Sequence, residues 1–336
     1  MIWAALEGGK GTGMKRYEKR RRKSGFKMVI IFLLVFLLVL LGGWYYIVGR
    51  LYGKMHYQEA EGYGDQPWKK DGVVNILLIG NDSRENGEDG RSDAMILLSI
   101  SDKTKSIYMT SILRDIYVDI PGHDGNRLNA AYAFGGPKLL METIEQNFDI
   151  DVNRYVLVNF EAFAALVDAV NGVDLELSAQ EIEYVNAYLV EYNILTNRAE
   201  GTDYMDTGAS GMVHLNGPQA LAYSRNRYMG TDFGRTERQR KVLGAVIEKL
   251  PTAVLAGPEK IVDGILPNLT TNLTKKECFL LSLQAGKFLL YENSQGSIPL
   301  EGSYRPVEIR GMSVLEIDFE QNKDWLNEHI IGSQSK

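Results

Sequence analysis

Residues 28–48 run for 21 positions without a charged side chain, MVIIFLLVFLLVLLGGWYYIV. A helix of about 20 apolar residues crosses a hydrocarbon core of ~30 Å, so this run divides the chain between two compartments. A secretory signal has a shorter apolar centre and ends on a small-x-small cleavage site. Here the run closes on Gly42-Gly43-Trp44-Tyr45-Tyr46, with aromatics of the kind that settle at the membrane interface. The segment therefore predicts a transmembrane anchor and not a cleaved leader or a buried core helix.

The charge on either side fixes the expected orientation. Residues 1–27 carry nine Lys or Arg against Glu7 and Glu18, a net of +7, whereas the whole chain is −6, leaving −13 for the remainder. The basic run Lys15 to Lys23 abuts the apolar segment, while 51–70 is mixed in sign. The positive-inside rule places residues 1–27 in the cytoplasm and everything after Val48 outside. An acidic outer part argues against nucleic acid as a partner, since binding phosphate backbones needs a basic face. Residues 1–13 read as neither signal nor domain. Gly11-Thr12-Gly13 does not complete a phosphate loop, and translation is expected to start at Met14.

Residues 49–70 are polar and Gly-containing and read as a linker; residues 71–336 are expected to form one domain. Val73 to Gly80 is a continuous apolar run, as for a strand buried on both faces. Ala94–Ser101 and Ser106–Ile112, separated by Asp102-Lys103-Thr104-Lys105, predict a hairpin. Pro137–Phe148 predicts a helix and Tyr155–Phe160 a strand. A helix over Glu161–Val170 stops at Asn171-Gly172, before a strand over Val173–Leu177. Asn216 is expected to cap a helix with Pro218 in its first turn. Helices over Arg235–Leu250 and Lys275–Tyr291, strands over Val307–Arg310 and Val314–Phe319, and a helix over Lys323–Ile330 complete the pattern. The expected fold class is α/β, a mixed central sheet flanked by helices, behind a single transmembrane helix.

The lone cysteine, Cys278, lies in an apolar helical stretch and reads as a small buried hydrophobe. His56, His123, His214 and His329 lack metal-ligand spacing and read as structural or surface residues. Charge gathers in two places where the local pattern does not need it. One is the loop after the first strand, with Asp82, Arg84, Arg91 and Asp93, followed by Arg114-Asp115. The other is Tyr223-Ser224-Arg225-Asn226-Arg227 and then Asp232 to Arg240, where Arg235, Arg238 and Gln239 share one helical face by their i, i+3, i+4 spacing. Arg bonds phosphate through a planar fork, and several suit a pyrophosphate. Two carboxylates beside them bring in Mg²⁺, which takes one or two carboxylates plus phosphate oxygens. Each charge-assisted hydrogen bond contributes roughly 1.5–3 kcal/mol. The bland alternative is that these Arg and Asp pair with one another on the surface. Composition alone yields a phosphate-binding α/β domain.

The strings NILLIGNDSR, GRSDAMILLSI, SILRDIYVDIPG, RLNAAYAFGG, VDAVNGVDLEL and LNGPQALAYSRNRYMGTDFGRTERQRKVL stand in order between residues 75 and 250. They resemble the LytR-CpsA-Psr family. The resemblance implies an α/β/α domain with an apolar tunnel for a polyprenyl chain. It implies Mg²⁺-assisted transfer of a glycopolymer from undecaprenyl pyrophosphate to a peptidoglycan hydroxyl. Carried over, Asp82 and Asp93 match the family's acidic pair at the metal and pyrophosphate. Arg91, Arg114, Arg225 and Arg227 match its pyrophosphate-binding arginines, with Arg235, Arg238 and Gln239 beside them. Two positions depart from the pattern: Leu113 where Pro is usual, and Arg127, a further phosphate contact, where Lys is frequent.

On this reading Asp82, Arg91 and Asp93 are the catalytic residues. Asp93 is the base that takes the acceptor proton, with partnership to the metal or to an Arg as its other role. Arg and Mg²⁺ offset the charge that builds on the leaving group. Phe160, Phe163, Leu166 and Val167 are expected to line the carrier's path, with ordinary core packing as the alternative. A protein that only binds polyprenyl phosphates has no need of a carboxylate pair, and a hydrolase would use water as acceptor. A transcriptional regulator would need its large domain in the cytoplasm. A serine hydrolase is excluded, because the chain has no GxSxG.

Overall fold

A computed structural model describes residues 34–81, 92–226, 232–256 and 263–332. The basic tail, Met14, Asp82, Arg84, Arg91 and Arg227 lie outside the described residues. The chain forms two compact units that divide between Arg50 and Leu51. Helix α1, Leu34–Tyr52, lies mostly in the first and is long and apolar enough to cross a membrane, by length and composition.

A seven-stranded mixed sheet organises the second unit. Its strands are β1 (His56–Tyr57), β2 (Val73–Asn81), β3 (Ser92–Ser101), β4 (Ser106–Ile112), β7 (Arg154–Asn159), β10 (Leu269–Thr271) and β11 (Glu292–Ile298), in the order β1-β10-β7-β2-β3-β4-β11. The hairpin β3–β4 is antiparallel, β2 pairs antiparallel with β3 and parallel with β7, and β11 runs parallel to β4. Two further ribbons pair β8 (Val173–Leu177) with β9 (Gly211–Leu215), and β12 (Tyr304–Ile309) with β13 (Met312–Ile317). A short pair, β5 (Tyr117–Val118) with β6 (Asn126–Arg127), leads into the first long helix of the domain.

Alternation along the strands sends side chains to two separate helical layers. Leu77, Ile79, Met95 and Leu97 pack against helix α2 (Leu128–Phe148) and the C-terminal helix α8 (Phe319–Leu326). Helices α3 (Phe160–Ala169), α4 (Ala179–Leu195), α5 (Gly217–Arg225) and α6 (Asp232–Ala256) form their own core from Val167, Ile182, Leu189, Tyr223 and Val246. A smaller cluster joins Val74 and Ile76 to helix α7 (Lys275–Phe288).

The stretch 49–70, expected to be a linker, is part of the domain. Tyr63 is buried and donates to Glu145 Oε2 at 2.6 Å, and Arg154 holds the Tyr63 and Gln66 carbonyls. Its aromatic residues supply anchors that its polar composition conceals. Helix α2 starts nine residues before the expected Pro137. It breaks at Gly135 and at Gly136 (φ 62°), and Pro137 opens the second segment, where it needs no intrahelical N–H. The expected stop at Asn171-Gly172 is a pair of left-handed residues, φ 61° and 76°. A Cβ at Gly172 would stand 2.3 Å from His214 Nε2, so only glycine fits. Cys278 belongs to the cluster around Val74, and burial pushes its thiol up to about 11, which leaves it protonated.

Candidate active site

The site forms where β2 ends and β3 begins. Asn81 pairs with Ser92 and Gly80 with Ala94, so Asp93 is an extra residue without a partner on β2. Such a bulge re-aims one side chain out of the alternation. Asp93 meets Arg114, just past the end of β4, with Arg114 Nη1 donating to Asp93 Oδ1 at 2.6 Å. Two more carboxylates flank the same guanidinium: Asp115 at 3.5 Å and Asp232 at 3.6 Å. Asp115 is held above its ordinary range by burial. Arg114 opposes that shift, and Asp232, which shares a hydrogen bond with it, adds to it.

Helix α6 brings the opposite wall. Arg235 is 4% exposed; its Nη2 lies 3.1 Å from Asp232 and 3.4 Å from the Asp93 carbonyl. Helix α5 brings Arg225, whose guanidinium lies 3.9 Å from the centre of the Phe160 ring and 5.3 Å from that of Tyr188. Local sequence fixes α5 tightly. Asn216 and Gln219 form a reciprocal capping box with Pro218 in the first turn. The Gly217 N–H donates to Asp168 Oδ1 at 2.7 Å, and a Cβ at Gly217 would fall 2.2 Å from the Ala164 carbonyl. The α3–α5 approach that puts Arg225 on Phe160 therefore depends on a missing side chain.

Two adjoining cavities meet here. The polar one is lined by Gly80, Asp93, Ala94, Phe160, Arg225, Arg235 and Gln239. The other is an apolar slot of about 110 Å³ whose walls include Leu78, Ile96, Phe163, Leu166, Leu221 and Leu243. Gly80, Ala94, Phe160, Arg225 and Gln239 belong to both, so the greasy slot opens onto the charged site. Gln239 Oε1 is buried there without a hydrogen-bond partner, an acceptor left for a ligand's hydroxyl or N–H.

The structure thus brings together Asp93, Arg114, Arg225, Arg235 and Gln239, with Phe160, Phe163 and Leu166 on the apolar wall. Three expected positions fall elsewhere. Arg238 lines neither cavity; its Nη2 donates to the Asn226 carbonyl at 2.5 Å and pins the chain just past α5. The i, i+3, i+4 face is broad enough that Arg238 turns toward α5 while Arg235 and Gln239 reach the cavity. Arg127 is spent on the Ser313 carbonyl, at 2.8 and 3.1 Å, and stands 3.5 Å from Asp115. Val167 is fully buried among α3, α4 and α5, away from the slot. Asp115 and Asp232 were not singled out from sequence. They stand beside Arg114 and Arg235 in the same charged strings, but only the fold shows that they meet.

The departure at Leu113 has a local reason. Its N–H donates to the Ile298 carbonyl of β11 at 2.9 Å, a bond that proline cannot make, and its side chain is 1% exposed. Among the described residues no group of three or more His, Cys, Asp or Glu forms a ready-made metal cage. Asp93 on the wall of the polar cavity fits what Mg²⁺ takes from a protein, one or two carboxylates with phosphate oxygens completing the shell.

Residues 49–329 match the model of the LytR_cpsA_psr family. The chain is 35% identical over 250 residues to a Bacillus cereus polyisoprenyl-teichoic acid–peptidoglycan teichoic acid transferase TagU, covering 73% of this chain and 75% of that relative. It is 36% identical over 205 residues to the TagU of Enterococcus faecalis; there the match spans 59% of this chain and 61% of the relative. Among solved structures, TagT bound to LI-WTA superposes with a TM-score of 0.63 at 29% identity, over 82% of this chain and 99% of that one. The family protein YwtF (TagT) with bound octaprenyl pyrophosphate lipid superposes with a TM-score of 0.59 at 27% identity, with the same coverage.

Proposed function

This chain belongs to the LytR-CpsA-Psr family, and from that premise we propose that it is a transferase that moves a glycopolymer from a polyprenyl pyrophosphate carrier onto peptidoglycan. The donor is an undecaprenyl-pyrophosphate-linked glycan. Helix α1 anchors the enzyme with its basic tail in the cytoplasm, and the domain works outside, at the membrane surface where such a carrier resides. One observation carries the reading: an apolar slot and a cavity lined by Arg225, Arg235 and Asp93 share five wall residues. Only an amphiphile with a long tail and an anionic head satisfies both at once.

The tail occupies the slot along Phe163 and Leu166. Arg225, at the junction, meets the phosphate joined to the tail, while Arg235 and Arg114 face the charge that develops as the bridging bond breaks. A sugar hydroxyl of peptidoglycan attacks the phosphorus nearer the polymer. The bond from that phosphorus to the bridging oxygen breaks, and the carrier leaves as its monophosphate. Fixed guanidinium groups are already oriented for this charge, which is the electrostatic contribution that usually dominates phosphoryl transfer. The acceptor's proton goes to Asp93, whose orientation is set by the 2.6 Å bond from Arg114. Mg²⁺, when bound, adds charge neutralisation at the phosphate oxygens, and Asp93 with Asp82 would hold it.

The test is a transfer assay in vesicles with a polyprenyl-pyrophosphate-linked glycan and peptidoglycan fragments. Polymer joined to peptidoglycan through a phosphodiester supports the reading. Release of free polymer phosphate with water as the only acceptor makes the protein a hydrolase. Leu166→Glu, which places a charge in the slot, is expected to abolish use of the lipid-linked donor; wild-type turnover by this variant would overturn the placement of the tail. Rescue of Asp93→Asn by raised Mg²⁺ assigns Asp93 to the metal, and failure of rescue assigns it to the proton.

A further inference from the structure

Across α6 from the proposed pyrophosphate site lies a second and larger cavity, about 340 Å³, between α6, β8 and the β4–β11 edge of the sheet. Ile107 and Met109 of β4 form its floor, and Asn293 and Gln295, which pair with them in register on β11, continue it. Arg240 reaches into this cavity from α6. It is 8% exposed, and its Nε and Nη1 are buried without a hydrogen-bond partner. Nearby charges do not account for it. Glu237 is bonded by Lys241 at 2.9 Å, and Asp174, at the rim, by Lys249 at 2.5 Å and His214 at 2.8 Å. The Tyr108 hydroxyl donates to the Gln295 carbonyl. Burial pushes the Arg240 guanidinium below its ordinary value, and the nearby Glu237 carboxylate and Tyr108 only partly offset that. Such a group is costly to leave unmatched and marks a place where an anion belongs.

We propose that this cavity is a second anion subsite, which holds one phosphodiester of the polymer attached to the donor. The proposal rests on the transferase reading above and adds what the enzyme grips beyond the pyrophosphate. Three features select a diester over a free phosphate ion. A single guanidinium matches a single negative charge. The exposed rim carries Glu248, which repels a dianion. Asn293 and Gln295 on the wall offer amide donors and acceptors of the kind that polyol or sugar hydroxyls bond. The cavity stays open because Gly244, one turn after Arg240, interrupts a long helix with no side chain; a Cβ there would meet only Met109 Cε, at 3.8 Å. A glycine inside a helix is unfavourable by propensity, so its presence is explained by the space it leaves.

The test titrates the full-length protein in detergent micelles with glycerophosphoglycerol, a soluble phosphodiester, and with inorganic phosphate as comparator. Wild type is expected to bind the diester at least tenfold more tightly than phosphate. Arg240→Gln and Gly244→Leu are each expected to weaken the diester at least tenfold, and Arg114→Ala to leave it unchanged. Gly244→Leu improves helix propensity while filling the cavity, so it keeps the test decisive should Arg240→Gln fail to fold. Diester binding in both variants equal to wild type overturns the proposal. So does equal or tighter binding of inorganic phosphate, absence of binding in wild type, or an equal loss in Arg114→Ala. The transferase reading fails separately: release of free polymer phosphate, with water as the only acceptor, would sink it without moving the diester titration.

Discussion

Arg114 Nη1 and Asp93 Oδ1 stand 2.6 Å apart, joining a bulge at the start of one central strand to the residue that follows the end of its neighbour. Arg114→Ala is expected to lower transfer by about 10²- to 10³-fold, the usual loss for one oriented donor at a developing charge. Because Asp93 then loses its partner, Arg114→Ala/Asp93→Asn should be far less than additive, with a coupling of about 0.5–3 kcal/mol in a double-mutant cycle of kcat/KM. Independent, additive losses would show that the pair does not act as a unit.

Arg154 and Glu277 form a buried ion pair, Nη2 to Oε1 2.7 Å and Nε to Oε2 3.0 Å, with side chains 2% and 8% exposed. Glu277 also accepts from the Thr274 N–H at the start of α7, and Arg154 holds the Tyr63 and Gln66 carbonyls. Arg154→Ala leaves the buried Glu277 carboxylate without its counter-charge and takes the Arg154 donor from the Gln66 carbonyl, and is expected to cost about 3–5 kcal/mol in denaturant unfolding. A cost under ~1 kcal/mol would mean the pair is not what ties residues 49–70 to the sheet.

Asp102 receives hydrogen bonds from Lys69, from Lys287 and from the Tyr291 hydroxyl, the last two at 2.5 Å. These bonds hold its carboxyl well below the ordinary 3.8. A depressed carboxylate stabilises the fold above its unfolded pKa, and the gain is lost as pH falls below that value. Asp102→Asn should therefore be less stable than wild type by about 1–2 kcal/mol at neutral pH, after discounting for partial exposure. The gap should close as melts are taken at pH values below about 4. A constant gap across pH would assign the effect to packing.

Leu113→Pro restores the residue usual in the family yet removes the N–H that the Ile298 carbonyl uses. An unpaired buried acceptor costs about 1–3 kcal/mol, so melting is expected to drop by a few degrees. An unchanged melting temperature would mean β11 does not depend on that bond.

How far the sequence was legible follows from where each signal resides. The central strands β2 and β3 announce themselves by long apolar runs, as burial on both faces demands, and β4 by the turn Asp102-Lys103-Thr104-Lys105 that pairs it with β3. The edge strand β11, ENSQGSI, has no such pattern, and its extended form comes from pairing with β4. Helix α4 was legible and passed over: Ser178 and Glu181 spell a capping box, and Ile182, Val185 and Leu189 line one buried face. At the site, Asp93, Arg114, Arg225 and Arg235 stand out as charges without a local purpose. The hydrogen bond between Asp115 and Asp232 bridges 117 positions and has no local trace. Arg238 looked like its neighbours because helical spacing gives a direction and says nothing of which carbonyl lies in the way.

On the transferase reading, the guanidinium of Arg225, stacked on Phe160 at the border of slot and charged cavity, serves as a depth stop. A carrier threaded into the slot halts where its first phosphate meets that group, whatever sugar follows. Registration by the buried end leaves the outer end unmeasured, so polymers of different chemistry and length present the same bond to the same atoms. A protein built this way tells its cargo apart only by contacts made farther along the chain.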